Sequence, residues 1–262
     1  MNLKRIWAVV LRYLYLSRHS LDRLSDMFFW PTSDLVLWGL TSQFFVKAGG
    51  LFNNKLILMI LSGILLFIFV WRAQYEITVN ILEDLWNKNL GNIFVSPLKF
   101  SEWISAFFVI GLIKGAISFS FAMILAFILY KVQIFVYSFK FLVCIPLLLM
   151  TGWWVGLIIG SLILRFGTRV QTFAWTGVML IAPFSAVYYP VSTLPLWAQY
   201  LAKFVPLSYV FENMRKVILT GSFNPLDLII SFGLNFFYLL LTLWFFKKSF
   251  DHALERGLLS VY

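Results

Sequence analysis

Charge is what this chain has least of. Only 12% of its 262 residues are charged, and acids are scarcest, 11 against 21 lysines and arginines. Soluble domains carry about 25% charged residues, so an ordinary water-facing surface is excluded. Cysteine is nearly missing as well: Cys144 stands alone in an apolar run, which supports neither a disulfide nor a thiolate metal site. The two histidines, His19 and His252, lie near opposite ends. No H-E-x-x-H, G-x-S-x-G or Asp-rich metal motif occurs, so no catalytic centre and no metal ligand set is expected. G-x-x-x-x-G-K-[ST] is missing too, so no loop of backbone amides is there to cradle nucleotide phosphates. The N-terminus lacks a signal-peptide pattern, because Lys4 and Arg5 lead to Arg12, Arg18 and Arg23 with no compact apolar core between them. That first segment is expected to stay attached.

What is abundant is grease. Hydrophobic residues make up 61% and aromatics 19%, and the mean hydropathy is +0.87. An integral membrane protein follows, with one domain over residues 1–262. Apolar runs at 27–46, 56–74, 103–130, 140–164, 172–190 and 226–246 predict six crossings. Each is expected to be helical, because backbone amides in lipid bond only within their own segment and the alternating pattern of barrel strands is absent. With the N-terminus inside, thirteen lysines and arginines, Arg256 among them, fall on the cytoplasmic side and seven outside, leaving Lys114 within a span. That bias predicts both termini in the cytoplasm. The basic excess reads as topology and contact with anionic lipid, and not as nucleic-acid binding.

Three segments differ from the spans. Within residues 1–26, Leu3, Ile6, Val10, Leu14, Leu21 and Leu24 share a helical face opposite Arg5, Arg12, His19 and Arg23, which predicts an interface helix, whether as anchor or as contact for a cytoplasmic partner. The 75–101 stretch is expected to be a cytoplasmic loop holding a short amphipathic helix. There Val79, Leu82, Trp86 and Leu90 oppose Glu83, Asp84, Asn87 and Lys88, before Gly91 and Pro97 stop the helix. It either lies on the bilayer or docks a soluble protein. The third, 190–225, is apolar yet broken by Pro190, Pro195 and Pro206. Residues 192–204 are too few for two crossings, so they are expected to re-enter the outer leaflet as a lid, with Tyr188, Tyr189, Trp197 and Tyr200 at headgroup depth and Glu212 paired locally with Arg215.

Lys114 falls near mid-span, where a bare cation costs roughly 2.5 to 3.5 kcal/mol. Asp34 or a carbonyl near Pro31 would neutralise it, or it would attract an anionic substrate headgroup. Gly111 and Gly115 around it, and Gly152, Gly156 and Gly160 further on, predict close helix packing.

The chain resembles the permease subunits of type 2 ABC exporters, which move polysaccharides, lipid-linked glycans, drugs and other amphiphiles out of bacteria and archaea. The likeness covers nearly the whole chain. It is carried by Glu83-Asp84 leading to Ser96-Pro97-Leu98, and by Ser185 through Tyr189-Pro190, Leu194-Pro195, Pro206-Leu207-Ser208 and Arg215. The resemblance implies a second permease copy as homodimer in the cytoplasmic membrane, and separate ABC ATPase subunits that hold ATP and magnesium, with no cofactor in this chain. Residues 79–90 would be the coupling helix. Thr41, Ser42, Gln43, Ser62, Thr172, Thr176 and Ser185 would line the substrate path, with Trp38, Phe173 and Trp175 as apolar walls. A secondary transporter or channel would need ion-coupling acids inside spans or an inverted repeat, and a membrane enzyme would need a reactive centre.

Overall fold

The computed structural model describes residues 1–49, 54–132 and 140–255; Arg256 lies outside them. An apolar environment leaves backbone amides only intrasegment partners, and every regular element among the described residues is helical. In chain order these are α1 Leu3–His19, α2 Leu21–Gly49, α3 Asn54–Trp86, α4 Leu90–Val95, α5 Phe100–Tyr130, α6 Lys140–Phe166, α7 Thr172–Thr176, α8 Leu196–Ala202, α9 Pro206–Thr220 and α10 Pro225–Glu255. Short 3₁₀ turns flank α7 and precede α8.

Among the described residues, four stretches are long and apolar enough to cross a bilayer: Ile57–Trp86, Phe100–Tyr130, Lys140–Val170 and Pro225–Glu255. This is a membrane-embedded helical bundle. The predicted first span lies in α2, whose 29 residues have the length but carry Asp22, Arg23, Asp26, Asp34 and Lys47. The predicted fifth span is not one regular helix. It is α7 followed by 3₁₀ turns at Gly177–Leu180 and Ala182–Phe184, and it ends where Ala186 turns to φ 61°. Packing explains the break. Gly177 packs directly on the Ile159 side chain, whose tip would have to move to admit a Cβ there. Gln74 Nε2 and Thr78 Oγ1 of α3 donate to the Ala174 carbonyl at 2.8 and 2.9 Å, holding an acceptor freed by the change of helix type.

The predicted 75–101 loop is also different. No glycine or proline interrupts the chain between Gly63 and Gly91, so α3 continues unbroken to Trp86 and absorbs most of the helix predicted over 79–90. It stops in a Schellman motif: Lys88 takes φ 52°, Asn89 N donates to Asp84 O at 2.8 Å and Lys88 N to Leu85 O at 3.0 Å. Only 87–99, with the single-turn α4, connects α3 to α5.

The buried centre of the bundle is α3, with α5 on one side and α6 on the other. Gly111 meets the Ala73 backbone and Gly115 meets Phe69, while Gly152 and Gly156 sit against Val70, Ala73, Gln74 and Ile77. Gly160 fits between Ile81 and Phe246 of α10. Both glycine stripes therefore pack within the chain. A polar lock adds to α6–α10 packing: Asn235 Oδ1 accepts from Thr151 Oγ1 at 2.8 Å and Trp154 Nε1 at 3.0 Å.

In the segment between α7 and α10, Pro195 stands at the N-cap of α8 and Pro206 opens α9, the positions where fixed φ and a missing N–H cost least. The Glu212–Arg215 pair forms at 3.1 Å, but it does more than join neighbours on α9. Arg215 Nη2 donates to the Ala186 carbonyl at 2.8 Å, and Glu212 Oε1 accepts from Val191 N at 2.7 Å. Together they fasten the bend that follows the broken segment.

Candidate functional site

On α3, Arg72, Glu76, Asn80 and then Glu83 and Asp84 recur at helical spacing and form a polar stripe down its lower half. In so apolar a bundle each ion on that stripe needs a counter-charge. Lys114 of α5 meets Glu76 Oε2 at 2.6 Å, with both side chains almost wholly buried. Arg72 lies one turn before Glu76, with Nη1 4.0 Å from both Glu76 Oε1 and Asp26 Oδ2 of α2, while its guanidinium also donates to the Asp26 carbonyl. Asn80 Nδ2 donates to Glu76 O at 2.6 Å, and Arg23 Nη1 of α2 donates to Asn80 Oδ1 at 2.9 Å. Arg23 also grips Glu83, with Nε to Oε1 at 2.5 Å.

At the foot of the stripe, the Asp84 carboxylate accepts from Arg12 and, at 2.6 Å, from Tyr13 Oη, both on α1. Burial, with Asp84 alongside, raises the Tyr13 hydroxyl well above its ordinary pKa. Burial opposes the charge on Arg12, but the hydrogen bond and attraction to Asp84 outweigh it and raise its pKa. Four cations (Arg12, Arg23, Arg72, Lys114) thus face four carboxylates (Asp26, Glu76, Glu83, Asp84) in one ladder running from α1 to mid-bundle. Its loosest rung is Arg72, since Arg72 Nε and Glu76 Oε1 have no hydrogen-bond partner.

These contacts correct several expectations. Lys114 pairs with Glu76, not Asp34 or a carbonyl near Pro31. Glu83 and Asp84 present no free acidic surface, because both are engaged by α1 and α2; Trp86, Asn87 and Lys88 beyond them are exposed. Arg23 belongs to the first turn of α2 and points inward, since the interface helix ends at His19. The basic side of α1 is also turned to protein. Arg5 Nη1 donates to Pro97 O at 2.6 Å and lies 3.7 Å from Glu102, whose Oε1 accepts from Asn2 N at 2.7 Å. Ile6 and Val10 pack on Ala106, whereas Leu3, Trp7, Leu11 and Tyr15 form an exposed stripe.

The residues assigned to a path by resemblance do not converge within the chain. Thr41 and Thr176 donate to carbonyls one turn back, at 2.7 and 3.0 Å, and Ser42, Ser62 and Ser185 bond locally in the same way. Thr172, Phe173, Trp175 and Thr176 lie on an outward face of the broken segment, and Gln43 is half-buried on α2. Trp38 stacks on Tyr188 with centroids 4.7 Å apart, tying α2 to the bend, while Tyr189 Oη donates to Pro183 O at 3.0 Å. Trp197 is exposed on α8, where its ring meets Phe184 edge-on. Sequence reasoning missed Arg72, Glu76, Asn80 and Gln74. For Arg72, Glu76 and Asn80 the four-residue spacing at the end of the apolar run was the available signal; Gln74 lies off it. Among the described residues, no group of three or more His, Cys, Asp or Glu is placed to hold a metal ion. No protein-family model and no curated protein matches this chain, so its functional reading rests on geometry and on the motifs quoted above.

Proposed function

We propose that this chain is the permease subunit of an ATP-driven type 2 ABC exporter that moves an amphiphile, such as a lipid-linked glycan, lipid or drug, outward across a bacterial or archaeal cytoplasmic membrane. The observation that carries this reading is the ladder: it joins a helix lying across one end of the bundle to a buried ion pair at its middle. A push on α1 or on the 87–99 connection has a stiff route through Arg12–Asp84 and Arg23–Glu83 into α3, the helix on which α5 and α6 both pack. In this reading six segments cross, α2 and the broken 172–190 segment among them, and both termini are cytoplasmic. The exposed Leu3-Trp7-Leu11-Tyr15 stripe sinks among acyl chains.

The partner ATPase meets Trp86, Asn87, Lys88 and α4, in place of Glu83 and Asp84. ATP and magnesium act on that partner, which shifts the population of inward and outward states through α1 and α3. The outward faces of α2 and α7 meet a second permease copy across the substrate path, and the α8–α9 segment is the external gate. The ladder also weighs against an ion-driven secondary transporter. Glu76 is an acid inside a span, but Lys114 and Arg72 hold it, so no carboxylate of the ladder stands free to load and release an ion. Purification from the native membrane tests the reading: a soluble ATPase is expected to co-purify, and solute flux through liposomes holding this chain alone would refute it.

A further inference from the structure

A cleft of about 1110 Å³ lies outside the ladder and contains none of the residues assigned to the path. It opens where the first turns of α5 meet the last turns of α6 and α10, the same end of the bundle on which α1 lies. Its walls are apolar: Ile104 and Phe108 from α5, Leu243 and Trp244 from α10. Its mouth is basic. Lys247 is matched by Asp251 at 3.2 Å, but neither Arg165 nor Lys248 has a carboxylate within ion-pair distance among the described residues. Both are held in place. Arg165 donates Nε to Ser249 Oγ at 2.8 Å and its guanidinium sits 4.8 Å from the Phe245 ring centroid, while Lys248 Nζ lies 5.4 Å from that of Trp244.

We infer that this cleft is a binding site for an anionic diacyl phospholipid of the surrounding membrane, its phosphate between Arg165 and Lys248 and an acyl chain against Ile104, Phe108 and Leu243. Charge selects the occupant. Two uncompensated cations above an apolar slot at a helix-bundle end fit an anionic headgroup attached to hydrocarbon, whereas a zwitterionic lipid brings its own cation to the same place. Aromatic shelves under the cations keep their stems low and their heads at the polar boundary. The inference rests on membrane embedding alone and stands apart from the exporter reading.

The test is lipid retention by the detergent-purified chain, read by native mass spectrometry during titration with phosphatidylglycerol or with phosphatidylcholine of the same acyl chains. The unaltered protein is expected to retain phosphatidylglycerol preferentially. Each cation removed in R165Q and K248Q weakens that retention about five-fold, about 25-fold in the double variant, from the gain of a basic residue near an anionic surface. Arg165→Lys with Lys248→Arg keeps it. Ser105→Trp fills the slot without touching a charge and is expected to abolish retention, which distinguishes a seated lipid from surface attraction. Circular dichroism melting confirms that each variant is folded. Equal retention of the two lipids, or unchanged retention in either the double-glutamine variant or S105W, overturns the proposal.

Discussion

Breaking the Lys114–Glu76 pair examines the ladder most directly. At 2.6 Å and an effective dielectric of about 20, the gross attraction is about 6 kcal/mol, and Arg72 at 4.0 Å adds about 4. Desolvation offsets several kcal/mol for each ion, so the intact set is near balance while a stranded member is not. Lys114→Met leaves Glu76 facing Arg72 alone and is expected to destabilise the bundle by about 3 kcal/mol. Glu76→Gln leaves Lys114 buried without a counter-charge and Arg72 with Asp26 alone, for about 4. In the double variant Arg72 faces Asp26 one to one, and the loss is expected to be about 5, roughly 2 less than the sum of the singles. Helicity during SDS unfolding in mixed micelles measures all four corners of this cycle. Additivity within about 0.5 kcal/mol would show that the pair is not energetically coupled, and normal unfolding with lost export in K114M would make Lys114 a substrate contact instead.

Other outcomes follow from neighbouring contacts. Charge reversal at Glu83 and Asp84 is expected to release α1 and α2 from α3, seen as rapid proteolysis near Ser20; an intact, protected N-terminus would contradict the assignment. Lys88→Gly relieves a left-handed backbone at the end of α3 and should raise stability by about 1 kcal/mol in the same unfolding assay. Arg215→Ala removes the clasp on Ala186 and should lower Tm with a loss of about 2 kcal/mol, and no loss would show the bend to be self-supporting. The raised pKa of Tyr13 means the folded state keeps a proton that the unfolded state releases. Its contribution is therefore full below about pH 10 and falls as pH rises further. Tyr13→Phe is expected to flatten that alkaline loss, measured as the difference in unfolding free energy between pH 9 and 11.

Composition and run length were enough to read a helical membrane bundle, because lipid offers the backbone one solution over any long apolar stretch. Glycine spacing likewise made close packing legible at Gly111, Gly115, Gly152 and Gly156. Helix ends were not. Residues 75–86 look polar enough to leave the bundle, yet α3 carries them because Arg12, Arg23 and Lys114, up to 72 residues away, supply their counter-charges. The partner of Lys114 was hidden for another reason: Asp34 lies inside a predicted span, whereas Glu76 lies just beyond the 56–74 apolar run and reads as loop. The break after α7 depends on Gln74, Thr78 and Ile159, none of which a local pattern connects to Ala174 or Gly177.

Equal numbers of positive and negative groups in the ladder have an electrical consequence. A charge displaced through the full membrane potential exchanges about 2.3 kcal/mol per 100 mV. Tilting or sliding α3 with its bound neighbours moves each cation together with an anion, so such a stroke carries almost no gating charge. The ladder therefore adds almost no voltage dependence to a rearrangement of this bundle.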